Sequence, residues 1–421
     1  MSSRAAPIPF VLAQHVESAG TLWLQRRLLT GSAGAKLHHV GRFDERLSAH
    51  LDGLAVAGED GWPILDATLE GADAGSVFAI AVRAIETHDL TRLTRLCALV
   101  EAERKCAAGL SSALGWTEES VLRGLVVRLL NDSHGAQRLL GVAACAMHRV
   151  DPGIMSARLF EDRDAAIRAR TWRAAGELGK RELVSTAAAA IIDDDPSCQF
   201  WAAWAAVLLG DKHNALDVLT SIAAVPGPFR ARAFQLVLQA KGTQSAHGWL
   251  ATFAKDSEPN VRWLIRGAGL VGDPAYVPWL IGHMADNKTT RLAGEAFSLI
   301  TGLDLAWLDL EVKPPANFES GPNDDPDDPN VDMDEDEGLP WPDALRIQNW
   351  WHANSQGFQP GTRYFMGEPL NRDNCLRVLR EGFQRQRIAA ALYLSLLNPG
   401  TPLFEWRAPA PRQRRLLAEM T

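Results

Sequence analysis

The chain has 421 residues, 47% of them hydrophobic and 7% aromatic, with a net charge of −8. That length exceeds one compact core and suits an extended array, and no apolar run approaches the roughly 20 residues of a membrane-spanning helix. The negative charge is local: Glu319 to Glu337 holds ten acidic and no basic residues, and the remainder carries +2. A chain so balanced outside one insert lacks the uncompensated basic face of a nucleic-acid binder, and no direct nucleic-acid or membrane contact is expected.

The first ten residues contain two prolines and no charged-then-apolar signal pattern. Residues 8–30 read as an amphipathic helix with Leu12, Val16, Leu22 and Trp23 on its apolar side and Gly20 as a point of interruption. Phe43, Leu47, Leu51 and Leu54 place a second helix over 43–57, and Pro63 opens the next segment. These N-terminal helices occupy 1–63. From residue 64 the text becomes a run of short helices, irregular at first (76–87, 90–101, 102–114, 118–130) and clear from Asp162.

The clear part has a beat. Gly179, Gly210, Gly242, Gly272 and Gly302 follow one another at 31, 32, 30 and 30 residues, each after a small, apolar helical stretch. Two short helices and two turns fill such an interval, so the unit is a stacked helical hairpin. Acidic turns such as Asp162-Arg-Asp164, Asp193-Asp-Asp195-Pro196 and Asp286-Asn287 supply N-cap oxygens. The expected fold is all-α, a solenoid of helical hairpins over 64–310. In its best unit, 259–271 and 275–285 flank the turn Gly272-Asp273-Pro274. The segment 311–340 has six prolines, which rules out a helix or central strand and marks an acidic, extended loop. Residues 341–421 form a helical cap with eleven arginines and six acids, including a long helix over 371–397.

The sharpest candidate for function is the acidic loop. Asp324, Asp325, Asp327, Asp328, Asp332, Asp334, Glu335, Asp336 and Glu337 could imitate a phosphate backbone and steer a cationic protein partner. The same run could be a solvated linker, or could fold back on the arginine-rich cap. Asp332-x-Asp334-x-Asp336 has the alternation of a calcium loop, but Glu337 stands where that pattern needs glycine. The eleven histidines form no metal-binding spacing, and no P-loop, GxSxG or HExxH occurs. Five scattered cysteines without a CxxC pair read as reduced, buried thiols of a cytosolic protein. Trp172, Trp201, Trp204, Trp263 and Trp279 recur within repeats and read first as helix packing. No cofactor, metal or catalytic residue is expected.

The stretch Pro259 to Leu280 resembles the HEAT-like repeat, in the short variant also found in phycobilin lyases and in the alkyl-purine DNA glycosylase fold. In such arrays the second helix of each unit, here 181–192, 213–223, 244–254 and 275–285, tends to line the concave side. Beyond that, Phe43 to Trp62, Arg291 to Gly302, Leu339-Pro-Trp-Pro-Asp343, Trp350-Trp351 and Gly361-Thr-Arg-Tyr364 resemble a proteobacterial HEAT-repeat family associated with type VI secretion loci. The resemblance implies a non-catalytic cytoplasmic immunity protein. Its partner would be a cognate secreted toxin, most readily a nuclease effector. An effector-loading adaptor and a glycosylase-type enzyme are the other readings of the same scaffold.

Overall fold

The computed structural model describes residues 6–151, 157–256, 261–316, 318, 321 and 333–420. In chain order its helices begin α1 (Pro9–Leu29), α2 (Leu37–Ala57), α3 (Trp62–Ala67), α4 (Ala74–Glu86), α5 (Leu90–Ala102), α6 (Ala107–Trp116), α7 (Glu119–Leu122) and α8 (Leu125–Leu130). The repeats continue with α9 (Gly135–His148), α10 (Ala157–Phe160), α11 (Ala165–Glu177), α12 (Val184–Ala189), α13 (Pro196–Leu209), α14 (Asn214–Ala224), α15 (Arg230–Ala240), α16 (Thr243–Asp256), α17 (Val261–Val271), α18 (Val277–His283) and α19 (Thr290–Thr301). After the acidic segment come α20 (Ala344–Asn354), a small antiparallel hairpin of β1 (Tyr364–Phe365) and β2 (Glu368–Pro369), α21 (Arg372–Glu381), α22 (Gln384–Leu397) and α23 (Ala410–Glu419). The fold is all-α, built of helical hairpins that stack as in a solenoid.

Two compact units share the chain. One comprises 1–31, 36–210 and 399–421, the other 32–35 and 211–398. The division falls at Gly210, inside the stretch that reads as one array.

In the first unit, α1 runs unbroken through Gly20. That glycine meets Gly75 of α4 backbone to backbone, where a Cβ would lie 2.9 Å from the Gly75 carbonyl carbon. The expected interruption is instead the point of closest helix approach. The residues read as one helix over 118–130 form α7 and α8, split at Gly124 with φ +79°. In the repeats, α9, α11 and α13 pack in succession. The carboxylates of Asp164 and Asp195 accept backbone N–H groups at the starts of α11 and α13. A second set of acids makes a ladder. Arg138 bonds Asp162 at 2.9 Å and, one repeat on, Arg168 bonds Asp193 at 3.0 Å. Helix α13 is buried on every side from Phe200 to Leu209, as an all-round apolar helix must be. Trp172, Trp201 and Trp204 are buried in this core.

The last residues of the first unit stitch its helices together. Leu403 N–H donates to the Glu177 carbonyl, and Arg149 donates to Leu403 O and pairs with Glu405. Arg26 donates to the carbonyls of Arg407 and Ala408 while pairing with Asp44, whose other oxygen accepts the Ala410 N–H. Arg412 donates to Gly115 O and Thr117 O.

The second unit uses the same device. Arg363 donates to Leu238 O, Gln239 O and Lys241 O at the end of α15 and to Val271 O at the end of α17. Tyr364 N–H donates to Gly272 O at 2.7 Å. Gly272 has φ +72°, and the Tyr364 carbonyl sits where a Cβ would be. The expected helix over 371–397 is two helices, because Gly382 and Phe383 adopt extended backbone, and a Cβ at Gly382 would lie 2.7 Å from the Val378 carbonyl oxygen. The core of this unit joins Ile265, Val277, Leu280, Phe297 and Ile300 of the repeats to Ile347, Trp351 and Tyr364.

Candidate functional site

In the second unit the end of the acidic loop, from Met333 to Glu337, is clasped. Asp334 accepts two hydrogen bonds from Arg291 of α19, at 2.7 and 2.9 Å. Asp336, only 4% exposed, accepts two from Arg262 of α17, at 2.9 and 2.6 Å. Glu335 accepts from Arg266 of α17 at 2.7 Å and more weakly from Arg262 at 3.3 Å, and its backbone carbonyl accepts from Arg385 of α22. Charge-assisted, bidentate pairs of this kind are the strong ones. Arg291 also lies over both Phe318 and Trp341, which pack edge to face, with its guanidinium carbon 5.0 and 5.1 Å from the two ring centroids. Burial would raise the Glu335 carboxyl, but Arg266 and Arg262 outweigh it and hold the group below its ordinary value. The Asp336 carboxylate in turn holds the Arg262 guanidinium above its ordinary value.

Of the nine acids singled out in the sequence, Asp334, Glu335 and Asp336 are thus engaged with arginines of the same unit, and Glu337 is exposed. Asp324, Asp325, Asp327, Asp328 and Asp332 lie outside the described residues. The fold-back is onto repeat helices α17 and α19 as well as onto Arg385 of the C-terminal region. Two members of the alternating aspartate triad, Asp334 and Asp336, are committed to guanidinium groups rather than pointed at a common centre. Among the described residues, no group of three or more His, Cys, Asp or Glu could hold a metal ion.

Beside the clasp is a cavity of about 310 Å³. Its walls come from the first helices of three successive hairpins, α15 (Ala231, Phe234, Gln235), α17 (Trp263, Arg266, Leu270) and α19 (Leu292, Glu295, Ala296, Leu299), and from α22 (Arg385, Ile388, Ala389). The second helices 244–254 and 275–285, expected to line the groove, contribute none of these residues. They reach the cavity only indirectly, as when Trp249 and Phe253 pack on Phe234 at 5.4 Å. Arg230 stacks over Trp263 at 4.7 Å. Two wall arginines, Arg266 and Arg385, are also clasp arginines. Glu295 pairs with Arg385 at 3.0 Å. No periodicity marked Glu295 as special. The only sequence signal was an acid on an otherwise apolar face of α19.

The five thiols are all free and buried. Burial pushes Cys198 and Cys375 up to about 12, and Cys97 and Cys145 up to about 11. Thiols held protonated in this way are poor nucleophiles.

A family model for HEAT repeats matches residues 155–239. Residues 155–239 carry HEAT repeats. The match begins just before α10 and ends within α15, taking in the second rung of the Arg–Asp ladder and the buried helix α13. Comparison with curated proteins finds no match, and comparison with solved structures finds none. HEAT-repeat arrays are typically non-catalytic scaffolds for protein–protein interaction. Among the described residues, no helix is long and apolar enough to cross a membrane.

Proposed function

We propose that this HEAT-repeat protein is a non-catalytic binder that neutralises a protein toxin, and that the toxin is a cationic nuclease effector of a type VI secretion system. The observation that carries the binding role is the stacked HEAT-repeat array itself, whose helices offer surface rather than a catalytic constellation. The toxin and secretion assignment rests on the resemblance carried by Phe43 to Trp62, Arg291 to Gly302 and the Leu339-Pro-Trp-Pro-Asp343 motif.

In this reading the acidic loop has two parts. Asp334, Glu335 and Asp336 tether its end to α17, α19 and α22. The charges of Asp324, Asp325, Asp327, Asp328, Asp332 and Glu337 speed the partner's approach through long-range attraction. Affinity itself would come from buried apolar and aromatic contacts, which dominate tight interfaces. The neutralising complex would form in the cytoplasm, where a nuclease effector would act.

The test is growth of cells expressing the candidate toxin encoded beside this gene, with and without this protein, paired with a pull-down. Rescue together with a stable complex supports neutralisation by binding. A complex without rescue indicates an effector-loading adaptor instead. Absence of both, with excision of alkylated bases by the purified protein, would replace the binder with an enzyme.

A further inference from the structure

The cavity in the second unit holds two polar groups with unused hydrogen-bonding capacity. Glu295 gives Oε2 to Arg385, and its Oε1 has no hydrogen-bond partner among the described residues. Gln235, across the cavity on α15, likewise makes no side-chain hydrogen bond among them. The other polar wall groups are already engaged: Arg266 with Glu335, and Arg385 with both Glu295 and the Glu335 carbonyl. The remaining surface is apolar, dominated by Phe234, Trp263, Leu270 and Leu292. Ligand pockets characteristically combine such walls with a few convergent polar groups, at volumes from about 300 Å³ upward.

We infer that this cavity binds an organic cation, an ammonium or guanidinium group on an apolar stem. The cationic nitrogen donates to Glu295 Oε1, and the stem lies against Phe234 and Trp263. An anion is disfavoured, because it would have to displace the carboxylates that Arg266 and Arg385 already hold and would meet Glu295 at close range. A purely apolar guest would leave Glu295 Oε1 and Gln235 without partners after water is expelled, which is unfavourable. The aromatic wall is suited to cations, since Trp263 already draws the guanidinium of Arg230 to its ring. This inference concerns the cavity alone and does not depend on the toxin reading. The same chemistry is offered by a free amine or by a lysine or arginine side chain of a protein.

Calorimetry and ligand-observed NMR of the full chain with phenylbutylamine, phenylbutanol and phenylbutyrate test it. The amine should bind best. Glu295→Gln should weaken the amine by about tenfold or more, the loss of a charge-assisted hydrogen bond, and leave the alcohol unchanged. Ala231→Phe, at an exposed position on the cavity wall, should weaken all binding without disturbing the fold, which circular dichroism checks. The blocked dipeptide acetyl-Phe-Arg-amide separates the sources. A peptide stronger than the amine points to a partner's side chain and a weaker one to a free amine, and either supports the cation site. Equal binding of the alcohol or the carboxylate, or no binding of the amine to the native protein, overturns it.

Discussion

Arg291 closes on Asp334 through two parallel hydrogen bonds of 2.7 and 2.9 Å, fixing the end of the acidic segment to helix α19. Both side chains are largely withdrawn from water, at 9% and 15% exposure, so the pair is not a surface ion pair of negligible worth. Removing one partner leaves the other charge uncompensated. Asp334→Ala is therefore expected to destabilise the protein by about 3 kcal/mol or more. Replacing both residues by apolar ones should recover much of that loss. Urea unfolding of the two single variants and the double variant measures the coupling.

Deleting 319–332 while keeping the clasp should leave stability near that of the native protein but slow association with a cationic toxin. The difference should shrink as salt is raised from about 0.01 M to 0.15 M, because the Debye length falls from roughly 30 to 8 Å. Stopped-flow association rates at the two salt concentrations check this. Equal rates for both proteins at low salt would remove the steering role.

Arg363 grips four carbonyls at the ends of α15 and α17, separated from it by about 90 to 125 residues. Hydrogen bonds to a charged group are worth about 1.5–3 kcal/mol each, though not additively. Arg363→Ala should lower stability by about 3 kcal/mol, and Arg363→Lys should rescue little, because an ammonium cannot reproduce the planar fork. Thermal unfolding of both variants decides this. Hydrogen exchange at the ends of α15 and α17 should quicken in each.

Glu177 is buried in the first unit between Arg170, at 3.0 Å, and Arg173, at 2.8 Å. Burial alone would raise its carboxyl, but the arginines, Arg149 included, prevail and hold it at about 2, below its ordinary value of 4.5. A carboxyl depressed on folding contributes stability that is complete above its unfolded value. That contribution is lost as the pH falls from about 4.5 toward 2. Glu177→Gln should therefore be less stable than the native protein at pH 7, by about 3–5 kcal/mol. Its stability should also vary less across the acid range. Denaturant midpoints measured from neutral pH down to about pH 3 check the sign.

What the sequence disclosed was local. The glycine beat marks helix ends, and Gly179, Gly210, Gly272 and Gly302 all have positive φ, whereas Gly242 does not. Asp164 and Asp195 cap the helices they precede, within two or three residues of the N–H groups they accept. What it hid was long-range. The Arg291–Asp334 and Arg262–Asp336 pairs join positions 43 and 74 residues apart, and periodicity carries no trace of such partners. The cavity was not legible in the sequence for a related reason. Helical spacing shows that α15, α17 and α19 have apolar faces, but not that α22 packs against α15 to wall them. Trp263 and Trp279 also differ from the other repeat tryptophans. Trp263 is half-buried at the cavity and Trp279 is 38% exposed.

The proposed role of this protein is to neutralise a protein toxin by binding it. The most direct measurement is titration of the toxin's nuclease activity, on a plasmid substrate, with purified protein. Neutralisation by binding predicts loss of cleavage that reaches completion near equimolar ratio, with the two proteins eluting together. Full cleavage in the presence of excess protein would contradict it.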